Sequence, residues 1–295
     1  MLVLGVTGDV GAGKSTITDI FRKSGASVIS ADAVTHEKWH DPLILKKAVQ
    51  RWGEEVILPD GSINANRVAS IVFSDRNEYK WLCQMLHPLV REEMNNRISR
   101  LSRWVVAEIP LLFENGVPNW IDETMYISAS IENRIKRNSH RGWDEAELKR
   151  RESFLLPPFE KKKKADIVLD NDMPLEEQKD RLGSVIQRCR DAADLCKVEV
   201  RFFSKDIAVQ CGCRLLERKL VYEADVFVTN NLRTERTDVR SDYPATLTLY
   251  TSESRYGNIK EFIEDSYPYY SGFFQTEIKR PGTFLRYFPL DVGKV

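Results

Sequence analysis

What the sequence has little of narrows its function before any motif is read. Lysine and arginine together number 44, and so do aspartate and glutamate. No global field therefore draws the chain to DNA, an anionic membrane or a cationic partner. The five cysteines, Cys83, Cys189, Cys196, Cys211 and Cys213, are odd in number and share no repeated spacing. That argues against a disulfide framework and a zinc cage, and they read as reduced thiols. Cys211 and Cys213 stand two apart in a helical pattern, hence on different faces, which favours packing over a soft-metal site. His36, His40 and His140 show no metal-ligand spacing with cysteine or acids, so surface or packing roles are expected of them. The opening MLVLGVTGDVG has no basic region and its apolar run soon meets glycine. It reads as neither a secretory signal nor a membrane span, and a cytoplasmic protein is expected. No low-complexity segment or internal repeat stands out.

A chain of 295 residues is longer than one compact domain usually needs, and two domains are expected, 1–195 and 196–295. Up to about residue 190, short apolar runs alternate with longer amphipathic stretches, as in a mostly parallel α/β sheet. Strands are expected at 2–6, 27–30, 104–107, 123–127 and 166–169. Helices are expected at 15–24, 43–51, 66–72, 76–102 and 174–195, with the turn Pro59-Asp60-Gly61 between two of them. After residue 195 the order becomes β-α-β-β-α-β, with strands at 198–203, 224–229, 245–251 and 273–278 and helices at 207–220 and 258–267. That is the ferredoxin-like α+β unit.

The segment Gly8-Asp9-Val10-Gly11-Ala12-Gly13-Lys14-Ser15 fits G-x-x-x-x-G-K-[ST] and falls between an expected strand and an expected helix. There the backbone N–H groups of Gly8, Gly11, Ala12, Gly13 and Thr16 and the helix N-terminus converge on ATP phosphates. Lys14 reaches the β- and γ-phosphates, and the Ser15 hydroxyl ligates Mg²⁺. Asp9 in that loop sets a carboxylate near a polyphosphate, a repulsion of about 1–4 kcal/mol at surface-like dielectric, so it is expected to point outward. Asp32 follows the second strand at its ligand-facing end, where it either accepts the proton of an attacking hydroxyl and helps hold the metal, or caps the next helix. Trp104-Val105-Val106-Ala107-Glu108 is an apolar strand ending in an acid, read either as an ordinary buried strand or as a carboxylate contacting Mg²⁺ through water. The run from Lys161 to Lys164 reads as a solvated helix face rather than a phosphate contact.

With these pieces in place the chain resembles the dephospho-CoA kinase family over residues 1–190. The resemblance is carried by Gly5-Val6-Thr7-Gly8 leading into the loop, Ala31-Asp32-Ala33, Leu86-His87-Pro88-Leu89, Ile109-Pro110-Leu111-Leu112-Phe113-Glu114-Asn115 and Lys164-Ala165-Asp166-Ile167-Val168-Leu169-Asp170-Asn171. It implies a P-loop nucleotide core, a helical substrate domain near residues 60–100 and a lid near 134–160. It implies transfer of the γ-phosphate of ATP to the 3′-hydroxyl of dephospho-CoA, with Asp32 as base. It places His87, Pro88, Arg91, Leu111 and Glu114 at the acceptor. In the lid it puts Arg137 and Arg141, which either neutralise the transferring phosphoryl group or are solvated charges. Three positions depart from the family pattern: Asp9 for a usual glycine, Ser30 for an acid, and Leu155 for a glutamine.

Residues 197–295 present no nucleophile, phosphate cradle or acid pair. Residues 208–228, Leu247-Thr248-Leu249-Tyr250-Thr251, 259–263 and Tyr267-Pro268-Tyr269 resemble the CutA divalent-ion-tolerance family, which implies a trimer through this tail. Tyr267 stands where that family has histidine, so metal binding is not carried over. The aromatics from Tyr243 to Phe288 read as core and subunit interface rather than a base-stacking platform, and neither nucleic acid nor membrane is expected as a partner. A reading of a different class stays open: a nucleotide- or coenzyme A-sensing regulator with impaired chemistry that signals through an oligomeric tail. Asp9, Ser30 and Leu155 lean toward it; Lys14, Ser15 and Asp32 lean toward the enzyme.

Overall fold

The computed structural model describes residues 1–228, 231–235, 238–242, 245–278, 285 and 288. By its internal contacts the chain divides after Ile186 into two compact units.

In the N-terminal unit β1 (Leu2–Gly8) runs into the glycine loop and α1 (Lys14–Lys23), followed by β2 (Ser27–Ser30) and α2 (Ala31–Lys38). A helical excursion comes next: α3 (Pro42–Trp52), α4 (Ala65–Val72) and α5 (Arg76–Ile98). The chain returns through β3 (Trp104–Glu108) and β4 (Glu123–Ser128), then crosses α6 (Ile131–Asn138), α7 (Glu145–Glu152) and α8 (Pro158–Lys164) before β5 (Ile167–Asp170) and α9 (Leu175–Ala193), within which the division between the units falls. The five strands are parallel in the order β2-β3-β1-β4-β5. All seven residues of β1 are buried, which is why it reads as an unbroken apolar run: a central parallel strand is covered on both faces. Its neighbours in the sheet are β3 on one side and β4 on the other, and the strand order reverses there, so a crevice opens at its carboxyl end. The register sets Val6 beside Glu108 and Ser30 beside Glu108, which brings the ends of β2 and β3 level with Val6, two residues before β1 ends.

The helical excursion has its own small core of Ala48, Val56, Val68 and Val72, edged by Trp52, Phe73 and Tyr79. The long helix α5 is capped by Asp75, which accepts from the Asn77 amide at 2.7 Å, and buries Leu86, Val90, Met94 and Ile98. It stops at Ile98 rather than near 102, because the chain turns through Ser99 to Leu101 and reaches a left-handed Arg103 (φ 64°) before β3.

The C-terminal unit consists of β6 (Leu195–Phe202), α10 (Lys205–Glu217), β7 (Glu223–Val228), β8 (Asn231–Glu235), β9 (Asp238–Asp242), β10 (Ala245–Ser252), α11 (Tyr256–Ser266) and β11 (Tyr270–Glu277). Its main sheet is antiparallel in the order β11-β6-β10-β7. With one helix following the first strand and one preceding the last, this is the ferredoxin-like arrangement. Val198, Val200, Phe202, Leu247 and Leu249 from the sheet pack with Ala208, Cys211, Leu215, Ile259 and Ile263 from the helices. A β8–β9 hairpin, a two-stranded sheet of its own, is inserted between the second and third strands and was not expected. Thr229 and Tyr243, named in the sequence reading, lie outside the described residues. Cys211 is buried and Cys213 exposed, all five cysteines are free, and no cluster of metal-ligating side chains occurs among the described residues. Among the same residues no helix is long and apolar enough to cross a membrane.

Candidate active site

The glycine loop holds its shape through conformations a side chain would oppose. Gly11 and Gly13 have φ of 79° and 89°, in the left-handed region. At Gly8 a Cβ would stand 2.2 Å from the Ile127 carbonyl oxygen, so the loop leaves β1 pressed against β4. Gly13 is the N-cap of α1 without a side-chain cap, and the first N–H groups of a helix have no partner within it. These features make a cradle for an anion at the sheet's switch point. Lys14 Nζ donates to the Asp9 carbonyl oxygen at 2.9 Å. Burial pulls its ammonium below the ordinary lysine value, and the nearby Glu108, Asp32 and Asp9 carboxylates act in the opposite sense. Thr16, two residues further along the first turn of α1, is exposed.

Glu108, at the end of β3, is buried. Its Oε1 accepts from Ser15 Oγ at 3.0 Å and its Oε2 from Thr18 Oγ1 at 3.1 Å. Ser15 and Glu108 thus form a pair of hard oxygen donors beside the cradle, with the carboxylate steadied from behind by Thr18. That donor set fits Mg²⁺.

Asp32 is the second residue of α2. The cap of that helix is Ser30, whose Oγ accepts from the Ala33 amide at 3.5 Å, and the Asp32 carboxylate lines a cavity of about 570 Å³. It is open to the water of that cleft yet has protein on most sides. Desolvation lifts its carboxyl above the ordinary aspartate value, against the pull of Lys14 and Arg141. His87, Pro88, Arg91 and Leu111 line the same cavity. Pro88 lacks an N–H, so the helical ladder of α5 offers the Gln84 carbonyl no donor there. His87 shares a hydrogen bond with Asn115, and burial depresses its imidazole. Arg91 Nη1 donates to the Asn115 carbonyl at 3.5 Å.

The lid supplies cations over the loop. Arg137 donates to the Ala12 carbonyl at 3.1 Å and to the Asn171 carbonyl at 2.9 Å. The Asn171 side chain also donates to Ala12, at 2.6 Å. Arg141 lies over the Trp143 ring, 5.2 Å from its centroid, and its field reaches Asp32.

Three expectations change. Asp9 does not point outward: it is 6% exposed, and its carboxylate turns back beneath the loop to accept from the Tyr126 hydroxyl and from the Ala129 amide. Two donors waiting inside outweigh the repulsion argument made from the sequence. Lys161 does not belong to a solvated face: it is 2% exposed and ion-paired to Glu114 at 2.8 Å. Glu114 itself is not among the cavity-lining residues; besides Lys161 it accepts from the Leu156 amide at 3.2 Å. Thr18, Tyr126, Arg134 and Lys161 were missed as site residues. Only Thr18 had a local signal, one helical turn after Ser15 on the same face.

A phosphate-cradling loop at the switch point of a parallel sheet in the order 2-3-1-4-5, with a hydroxyl–carboxylate pair and a second carboxylate in the adjoining cleft, defines the class of P-loop phosphotransferases. Comparison with known proteins narrows the class. The model of the dephospho-CoA kinase family matches residues 2–177, and the chain belongs to that family. It is an enzyme of coenzyme A biosynthesis, a kinase that uses ATP on a small-molecule substrate. A dephospho-CoA kinase of Streptococcus mutans is 30% identical over 194 residues, 64% of this chain and 98% of the relative. The crystal structure of TT1252 from Thermus thermophilus is 32% identical, with a TM-score of 0.53 over 63% of this chain and 96% of that one. The divalent ion tolerance protein CutA1 from Ehrlichia chaffeensis is similar over 32% of this chain and 92% of its own, at 13% identity and a TM-score of 0.28.

Proposed function

We propose that the enzyme transfers the γ-phosphate of ATP to the 3′-hydroxyl of the dephospho-CoA ribose, giving coenzyme A and ADP. The observation that carries this reading is the position of Asp32: its carboxylate lines the acceptor cavity and lies within the electrostatic reach of Lys14. An acceptor hydroxyl seated in that cavity gives its proton to Asp32 as its oxygen bonds to the γ-phosphorus, while the bond from that phosphorus to the β–γ bridging oxygen breaks toward ADP. Lys14, Arg137 and Arg141 neutralise the charge spread over the phosphoryl oxygens. Ser15 and Glu108 would hold Mg²⁺, which when bound would supply charge neutralisation at the phosphates. His87, Pro88, Arg91 and Leu111 seat the acceptor, and Glu114 acts on it indirectly through Lys161 and the backbone at Leu156. The kinase portion is assigned to residues 1–195 and a separate ferredoxin-like domain to 196–295, working in the cytoplasm.

The test is ADP release from MgATP with dephospho-CoA as acceptor and with adenosine and AMP as controls, on wild type, Asp32→Ala and Lys14→Ala. Turnover with dephospho-CoA alone, slowed by at least about 10²-fold in both variants, is the expected result. ATP binding without turnover on any acceptor would replace the enzyme by the sensor reading.

For the C-terminal unit the proposal is self-association into a trimer. Phe203, Phe227, Phe274 and Tyr269 are 72%, 56%, 50% and 81% exposed, apolar rings that an interface between copies would cover. Sedimentation equilibrium giving the mass of three chains supports it, and a single-chain mass at micromolar concentration removes it.

A further inference from the structure

Behind the phosphate cradle stands a polar strut that the proposed chemistry does not use. Asp9 is the first variable residue of the loop, and Tyr126 is fully buried in β4. The Tyr126 hydroxyl donates to Asp9 Oδ1, the Ala129 N–H donates to Oδ2 at 3.2 Å, and the Asp9 N–H donates to the Ile127 carbonyl at 3.0 Å. On its other side the Asp9 carbonyl accepts from Lys14 Nζ at 2.9 Å. The next loop carbonyl, that of Val10, accepts from Arg134 Nη1 at 3.2 Å, and Arg134, 7% exposed, is ion-paired to Glu152 of α7.

A carboxylate costs free energy to bury unless donors meet it. Here each oxygen meets one donor, both from the β4 side, so the arrangement anchors the loop at its first bend rather than leaving it to follow the chain. We infer that Asp9 and Tyr126 are positioning residues that hold the loop in its nucleotide-ready shape, so that breaking their hydrogen bond weakens MgATP binding without touching the acceptor or the chemical step. Asp9 does not line the acceptor cavity and reaches Lys14 only through its own backbone and its field. The inference rests on the kinase reading for the identity of the nucleotide.

The experiment is a double-mutant cycle on the full chain with Asp9→Gly, Tyr126→Phe and the pair together, plus Asp9→Asn. Asparagine keeps the size but turns an NH₂ toward either the Ala129 N–H or the Tyr126 hydroxyl. Losing a hydrogen bond to a charged group predicts a rise of roughly tenfold in the KM for MgATP for each single variant. The KM for dephospho-CoA and the kcat at saturating ATP stay within about twofold. The double variant is no worse than the poorer single one, because one interaction has been removed twice. Overturning results are an unchanged or lowered KM for MgATP, a loss carried equally by kcat, or losses that multiply in the double variant. Titration calorimetry with MgATP alone reads the same cycle without an acceptor. If the wild type binds MgATP but does not turn over dephospho-CoA, the acceptor reading fails while the strut is still tested. Tyr126→Phe, which removes one oxygen from a packed ring, keeps the test open if a change at Asp9 prevents folding.

Discussion

At the scale of the residue, the chemistry rests on charges held in unusual surroundings. Asp32 must be ionised to accept a proton, and desolvation holds its carboxyl above 3.8. The folded enzyme therefore binds that proton more tightly than an ordinary aspartate, and the acid limb of kcat/KM is expected to fall off at a pH above 3.8. Asp32→Ala should lower kcat by about 10²–10⁴-fold, the usual range for a general base, and erase that limb; a limb unchanged in the variant would assign it to another group. Lys14 is displaced the other way, below 10.5, so the loss of activity on the alkaline side should begin earlier than a free lysine would give. Lys161 and Glu114 form a buried pair, and Lys161→Met leaves the Glu114 carboxylate without its counter-charge, at an expected cost of about 3–5 kcal/mol in a denaturant titration. Replacing both partners with apolar residues should recover most of that cost. The difference between Lys14 and Lys161 shows what a sequence can disclose. Lys14 belongs to a fixed spacing, Gly8, Gly13, Lys14 and Ser15, whose residue types are dictated by one anion. Lys161 sits in a run of four lysines of which helical geometry turns one inward, and nothing in the run says which until Glu114 arrives from a different segment.

At the scale of the element, the lid and the helical excursion meet through rings and guanidinium groups. Phe154, following α7, packs against Phe73 and Tyr79 with centroids 5.6 Å and 5.2 Å apart. Arg150 donates to the Phe73 carbonyl at 3.1 Å, Arg76 donates to the Ser153 carbonyl at 2.8 Å, and Arg151 stacks over the Phe73 ring, 4.6 Å from its centroid. Phe154→Ala removes the ring at the centre of this contact and should destabilise the lid by about 1.5–3 kcal/mol, the order expected for burying one aromatic side chain. Amide hydrogen exchange should then quicken in α7 while β1 and β3 stay protected; equal acceleration everywhere would make the contact part of the global core instead. Most elements were legible because the central parallel strands are apolar throughout and the helices show one apolar face. The β8–β9 hairpin was not: Asn231–Glu235 and Asp238–Asp242 are mostly polar and carry no alternation to mark them. The extra length of β6, which begins at Leu195 rather than 198, is hidden because no glycine or proline separates it from the preceding helix, whose pattern reads on to Leu195.

At the scale of the whole molecule, chemistry and tail fall into different units. The residues proposed for catalysis lie before Ile186, and the relative from Streptococcus mutans is matched over 98% of its length by 64% of this chain. A fragment of residues 1–193, which keeps α9 whole, is therefore expected to fold and to retain kcat within about threefold of the full chain. Loss of activity in a fragment with native circular dichroism would show that the tail contributes to the site. The balanced charge, 44 basic against 44 acidic residues, gives no large net field to steer an anionic nucleotide, so the local cations Lys14, Arg137 and Arg141 carry that task. What most directly tests the account is the product itself. Dephospho-CoA incubated with the enzyme and MgATP is analysed by phosphorus NMR and by an assay that accepts only authentic coenzyme A. The account predicts one new phosphomonoester, at the ribose 3′ position, in equal amount to the ADP released, and its formation slowed by about 10²–10⁴-fold in Asp32→Ala. A phosphate at another position, or ADP formed with dephospho-CoA left unchanged, would contradict it.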